Sequence, residues 1–176
     1  QVLPLTFMGT ISGVVNDRIS RKRVMIMSDL TRMAIVALML LVRSKSTVWF
    51  VYPLLLCETI MASFFEPART ASVPNIVSRE DLVVANTIAS STWSVNLVLG
   101  SAIGGVVAAF LGRDAVFILN SASFLFSALL ISRMRFTEPH VEAASPLNFK
   151  DLVGVGPILE GIRYVRQNRN LLFTLF

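Results

Sequence analysis

The stretch GVVNDRISRKR, residues 13–23, places a dense group of cations between two long apolar runs. Four basic residues fall within the six positions 18–23. Charged side chains avoid hydrocarbon, and Lys and Arg accumulate in short loops on the cytoplasmic side of a membrane. The stretch therefore predicts a short cytoplasmic loop that joins two transmembrane helices.

The composition agrees with a helical membrane protein, since 54% of the residues are hydrophobic and only 15% are charged. The net charge of +5 would suit nucleic acid, but the cations alternate by loop and line no single face, so we expect no nucleic-acid partner. The single cysteine, Cys57, excludes an internal disulfide and a cysteine-rich metal site, and we expect no metal or cofactor.

Apolar runs of about twenty residues, enough to cross roughly 30 Å of hydrocarbon, recur along the chain. The expected spans are the end of a helix in residues 1–15, complete spans at 24–42, 48–65, 82–112 and 115–132, and the start of another at 171–176. The 82–112 run would be about 46 Å long and must overhang the bilayer or break. Pro67 is expected to end the 48–65 span, and 112–114 to form a tight external turn.

The distribution of basic residues supports this topology. With the predicted spans, thirteen Lys and Arg residues lie inside and three lie outside, namely Arg43, Lys45 and Arg113.

The loop pattern also resembles motif A of the major facilitator superfamily, matched here by Gly13, Asp17, Arg18, Arg21 and Lys22. The resemblance implies a cytoplasmic latch between the second and third helices, in which acidic and basic side chains pair in the outward-facing state. The alternative is a generic topogenic loop in another polytopic protein.

Further charged residues extend this hypothesis. Asp29 and Arg32 lie three residues apart on one helical face and can pair, and the resemblance implies that Glu66 reaches the motif A arginines. The predicted gating network is Asp17, Arg18, Arg21, Asp29, Arg32 and Glu66. Alternatively, these residues are independent solvated helix ends, because surface ion pairs contribute little.

Glu58 lies near the middle of its span, with no basic residue on the same helix within four positions. An unpaired carboxylate at the bilayer centre costs about 2.5 to 3.5 kcal/mol or more, so Glu58 is expected to face an aqueous cavity or to be protonated. Both states suit a proton-coupling group. A neutral acid hydrogen-bonded within the bundle is the alternative.

A small-residue face runs along the 82–112 helix at Asn96, Gly100 and Gly104 and predicts close packing of a neighbouring helix. With Ser101 and Gly105, this face resembles motif C of the antiporter branch, although Asn96 and Ser101 replace that motif's first Gly and its Pro.

The tracts 65–86 and 117–124 resemble the exporter branch that includes macrolide efflux proteins and the enterobactin exporter. The resemblance implies an all-α fold with three parts: 1–135 as part of an N-terminal six-helix bundle, 136–169 as a cytoplasmic linker, and 170–176 as the start of helix 7. Within the linker, 149–169 is amphipathic and is expected at the membrane interface, or else as a soluble linker helix. Apolar runs already under way at Gln1 and Phe176 suggest a piece of a longer protein whose C-terminal bundle is missing.

The expected function is secondary active export of a hydrophobic or amphiphilic small molecule by alternating access, coupled to protons, in the bacterial inner membrane. The chain is not expected to be an enzyme, and no phosphate-binding loop suggests the use of ATP. A lipid flippase or uptake permease on the same fold, and a non-transporting scaffold or sensor, are the alternatives.

The charge bias generates the first testable prediction, that Lys22 and Arg79 lie in the cytosol and Lys45 and Arg113 outside. Single cysteines at these positions, in a Cys57→Ala background, are to be labelled from each side with an impermeant thiol reagent. Labelling of position 22 from outside would overturn the topology.

Overall fold

The computed structural model describes residues 2–139 and 141, which form helices and contain no strand. The helices are α1 (Val2–Arg18), α2 (Arg21–Leu38), α3 (Val51–Ser72) and α4 (Leu82–Arg133). Short 3₁₀ turns follow α2 at Met39–Leu41, precede α3 at Val48–Phe50 and follow it at Val73–Asn75. The linker helix predicted at 149–169 and the span predicted from 171 lie outside the described residues, so the division at residue 135 stays a prediction.

The helices pack around α2. This helix contacts α3 on one side and α4 on another, and α1 packs mainly against α3. Among the described residues, three segments are long and apolar enough to cross a membrane: Arg21–Leu41, Val48–Asn75 and Leu82–Arg133. Much of the apolar surface stays exposed, as expected where lipid takes the place of a hydrophobic core.

Gly112 divides α4 into two arms, residues 82–111 and 113–133, because its φ of 80° and ψ of 175° leave the helical region. Backbone with these angles is adopted almost only by glycine. Arg113 donates to the carbonyl of Val42, and Asp114 accepts from Arg43 at 2.7 Å. The expected turn at 112–114 is therefore present, and it is tied to the α2–α3 connection.

The prediction that Pro67 ends α3 is wrong, since the helix continues through Pro67 to Ser72. Proline removes the donor that the carbonyl four residues earlier would receive, and neighbouring side chains can satisfy the carbonyls freed nearby. Asn16 of α1 donates its Nδ2 to the carbonyl of Phe64 at 3.3 Å, and Thr70 donates its hydroxyl to that of Glu66 at 3.0 Å. Neither bond is to the carbonyl of Ser63, the one that Pro67 leaves without its helical donor, but the first joins the adjacent turn of α3 to α1.

The two arms of α4 differ in their surroundings. The second arm packs on α2, where Ser121 donates its hydroxyl to the carbonyl of Met33 at 3.0 Å. The first arm is largely exposed, and an added Cβ at Gly100, Gly104 or Gly105 would meet no atom within 4 Å. Within the described part of the chain, no helix therefore packs on the predicted small-residue face, which also carries Asn96 and Ser101.

The backbone at Gly112 generates a second prediction. Gly112→Ala should lower the free energy of unfolding by about 1 to 3 kcal/mol, because the strain comes from the backbone angles and not from a lack of space. Gly100→Ala is the matched control, since its surroundings are equally open within a helix that favours Ala by about 0.5 to 1 kcal/mol. Denaturant unfolding in detergent measures both. Equal effects of the two substitutions on the free energy of unfolding would contradict the assignment of strain to the backbone angles of Gly112.

Candidate functional site

A cluster of charges joins α2 to α3 within their apolar segments. Arg32 donates from Nε and Nη2 to Oε1 of Glu58, at 3.0 and 2.9 Å. Its Nη1 lies 4.0 Å from Oδ1 of Asp29, one turn earlier on α2. One guanidinium therefore stands between two carboxylates. We call Asp29, Arg32 and Glu58 the charged triad.

Aromatic and polar side chains enclose the triad. The guanidinium carbon of Arg32 lies 4.3 Å from the ring centre of Phe124, on the second arm of α4, and 5.9 Å from that of Phe65. A cation over an aromatic face is attracted by about 0.5 to 2 kcal/mol, more when water is excluded. The hydroxyl of Ser127 lies within hydrogen-bonding reach of the Asp29 carboxyl.

The three members of the triad are shielded from solvent to different degrees. The side chain of Asp29 is 1% exposed, that of Arg32 17% and that of Glu58 25%. Oδ2 of Asp29 has no hydrogen-bond partner among the described residues. Glu58 is therefore the more accessible of the two carboxylates that share Arg32.

The expectation that Glu58 stands without a cation is wrong, because Arg32 reaches it from the adjacent helix. Arg32 lies about 16 Å along α2 from Arg21, roughly half of the 30 Å hydrocarbon thickness. At that depth a charge is retained only with a partner or beside water. With both acids ionised, the triad carries one excess negative charge.

The motif A cations form a second cluster at the helix ends. Nη1 of Arg21 donates to the carbonyl of Ala71 at 2.7 Å, near the C-terminus of α3. Nζ of Lys22 donates to the carbonyls of Ser132 and Met134, at 2.8 and 2.7 Å, where α4 ends. Cations at helix C-termini satisfy carbonyls that lack intrahelical donors and interact favourably with the helix dipole.

Glu138 completes this second cluster from the segment that follows α4. Its Oε2 accepts the hydroxyl hydrogen of Ser20 at 2.5 Å, and its Oε1 accepts from the backbone N–H of Lys22 at 3.3 Å. Ser20 also caps α2 by accepting from the backbone N–H of Arg23. A carboxylate at a helix N-terminus stabilises the free N–H groups there. We call Ser20, Arg21, Lys22 and Glu138 the cytoplasmic clasp, after the side of the membrane that the charge bias predicts for them.

The remaining residues of the predicted network lie elsewhere. Glu66 pairs with Arg69 of its own helix at 2.8 Å, with both side chains exposed, and does not reach the motif A arginines. Asp17 is exposed at the end of α1, and no ion pair among the described residues includes it. Arg18 is partly exposed beside it, and Gly13 has open space around its Cα. The structure therefore resolves the predicted single network into the charged triad and the cytoplasmic clasp.

Apolar membrane-length helices, a basic loop anchored to helix ends and a charged triad between spans define a polytopic helical membrane protein. The chain belongs to the transmembrane secretion effector family of the major facilitator superfamily, whose match covers residues 1–176.

Three relatives illustrate the similarity. The chain is 28% identical over 182 residues to the uncharacterized MFS-type transporter YkuC of Bacillus subtilis (strain 168), covering 99% of this chain and 41% of the relative. It is 25% identical over 177 residues to macrolide efflux protein A of Streptococcus pyogenes, covering 98% and 42%. It is 26% identical over 175 residues to the putative bacilysin exporter BacE of Bacillus subtilis, covering 99% and 42%. The chain thus spans about two fifths of these relatives' length, and no solved structure matches it.

The triad generates a third prediction, on stability. Arg32→Met should lower the free energy of unfolding by about 3 kcal/mol or more, because it leaves two carboxylates without their shared cation. Arg69→Met is the control, because it removes an exposed pair and should cost about 0 to 1 kcal/mol. Denaturant unfolding in detergent compares them. If Arg32→Met were as mild as the control, the triad would not stabilise the helix packing.

Proposed function

We propose that the chain is part of a transporter that exports a hydrophobic or amphiphilic small molecule by alternating access, driven by protons, across a bacterial inner membrane. The observation that carries the proposal is the charged triad, because ionisable residues inside a membrane mark ion and substrate pathways. The names of two relatives, a macrolide efflux protein and a putative bacilysin exporter, support export.

In this mechanism Glu58 is the proton acceptor. It is the more exposed acid of the triad, and a proton entering from outside neutralises its carboxylate. Arg32 then loses its ion pair with Glu58, while Asp29 remains beside it as a counter-ion at 4.0 Å. Release of the proton to the cytosol restores the pair. The bond between α2 and α3 therefore weakens and reforms once in each cycle.

The cytoplasmic clasp supplies the second element of the mechanism. It joins the α1–α2 loop to the ends of α3 and α4, so the clasp stabilises one packing of the cytoplasmic helix ends. A conformational change that moves these ends apart breaks charge-assisted hydrogen bonds, each worth about 1.5 to 3 kcal/mol. The clasp thus favours the state in which the cytoplasmic side is closed, and substrate or protons must offset that preference.

A fourth prediction tests the coupling. In the full-length protein, Glu58→Gln should abolish efflux driven by a pH gradient while preserving substrate binding, because Gln keeps the size and hydrogen bonding but carries no titratable proton. Glu66→Gln is the matched control, since Glu66 lies on the same helix, is exposed and is outside the triad. The measurement is substrate transport in proteoliposomes under an imposed pH gradient.

The competing functions give different results. If a pH gradient drove efflux by the Glu58→Gln variant as well as by the wild-type protein, Glu58 would have a structural role and no role in proton coupling. Movement of labelled phospholipid, or uptake that the proton gradient drives inward, would replace the export proposal with a flippase or a permease. No substrate movement in either direction would favour a scaffold or sensor.

A further inference from the structure

An apolar groove runs between α1, α2 and α3. It is lined by Val15, Ile19, Val24, Met27, Thr31, Met61 and Phe64 among others, and its volume is about 350 Å³. Ligand pockets usually measure about 300 to 1,000 Å³. Thr31, which lines the groove, donates its hydroxyl to the carbonyl of Met27 at 2.8 Å, so this hydroxyl is already hydrogen-bonded within α2.

The groove has a charged end. Arg23 lines it at the N-terminus of α2, and the residues Arg23, Met27 and Thr31 follow one another at four-residue spacing along one face of that helix. From Arg23 to Thr31 the helix rises about 12 Å, which is most of one leaflet's share of a hydrocarbon core about 30 Å thick. The apolar part therefore matches the depth of the cytoplasmic leaflet.

A second cavity, of about 500 Å³, adjoins the charged end and shares Ile19 and Arg23 with the groove. Arg18, Ser20 and Glu138 are among its other lining residues. Both carboxylate oxygens of Glu138 already accept hydrogen bonds from Ser20 and Lys22. The Arg23 side chain is exposed and makes no ion pair with any residue from 2 to 139 or with 141, so its guanidinium is available to an anion.

We propose that this groove and its basic end bind one anionic phospholipid of the cytoplasmic leaflet, with an acyl chain in the groove and the headgroup phosphate at Arg23. Basic pockets between transmembrane helices on the cytoplasmic side suit anionic headgroups. The planar guanidinium of Arg23 can donate two parallel hydrogen bonds to a phosphate. The bound lipid bridges α1, α2 and α3 beside the cytoplasmic clasp, and this role does not depend on what the protein transports.

The test uses phosphatidylglycerol with a photoreactive group in its acyl chain, added to the full-length protein in detergent. The label should attach to peptides containing Met27 or Met61, and unlabelled phosphatidylglycerol should compete about fivefold better than phosphatidylcholine. Arg23→Gln should weaken labelling about fivefold, and Arg23→Lys should restore most of it. Arg133→Gln, an exposed cation at the end of α4 that lines neither cavity, should leave labelling unchanged.

Three results would overturn the proposal. Equal competition by the two lipids would remove the role of the headgroup charge. Equal loss in Arg23→Gln and Arg133→Gln would show only general attraction to the basic surface. Labelling that misses the peptides containing Met27 and Met61 would show that no acyl chain occupies the groove.

Discussion

A single guanidinium held between two carboxylates inside apolar helices is the constraint on which the rest of the structure depends. A lone charge at that depth is costly, so Arg32 must keep a partner, and Glu58 on α3 supplies it at 2.9 Å. This requirement sets the depth of α2 relative to α3 in the membrane. Phe124 brings the second arm of α4 over the same cation. Helix packing and the proposed proton coupling therefore rest on the same few atoms.

The helix ends on the predicted cytoplasmic side obey a related constraint. Every helix leaves carbonyl groups at its C-terminus without donors from its own backbone. Arg21 and Lys22 provide donors to α3 and α4, and Glu138 accepts from the N-terminus of α2. The basic residues on which the predicted topology rests thus also join three helix ends. This dual role explains how one loop links membrane insertion with the proposed conformational control.

Periodicity and charge predicted the all-α membrane fold, and the turn at Gly112, because hydrocarbon thickness and charge avoidance act on local sequence. Contacts between helices were harder to predict. Spacing along one helix has no signal for the pairing of Arg32 with Glu58, which depends on the hairpin: Arg32 lies eleven residues before Arg43, and Glu58 lies eleven residues after Thr47. That symmetry about a short turn places both at one depth in an antiparallel hairpin. The continuation of α3 through Pro67 and the hydrogen bond from Asn16 to the carbonyl of Phe64, 48 positions along the chain, likewise have no signal in the local sequence.

The most direct test of the account is a double-mutant cycle on the unfolding free energy with Arg32→Met and Glu58→Gln, alone and combined. If the two side chains form the shared-cation pair, the combined variant should differ from the sum of the single variants by about 1.5 kcal/mol or more, within the range for residues in contact. Additivity to within about 0.5 kcal/mol would mean that the two residues act independently. That result would contradict the triad and the coupling built on it.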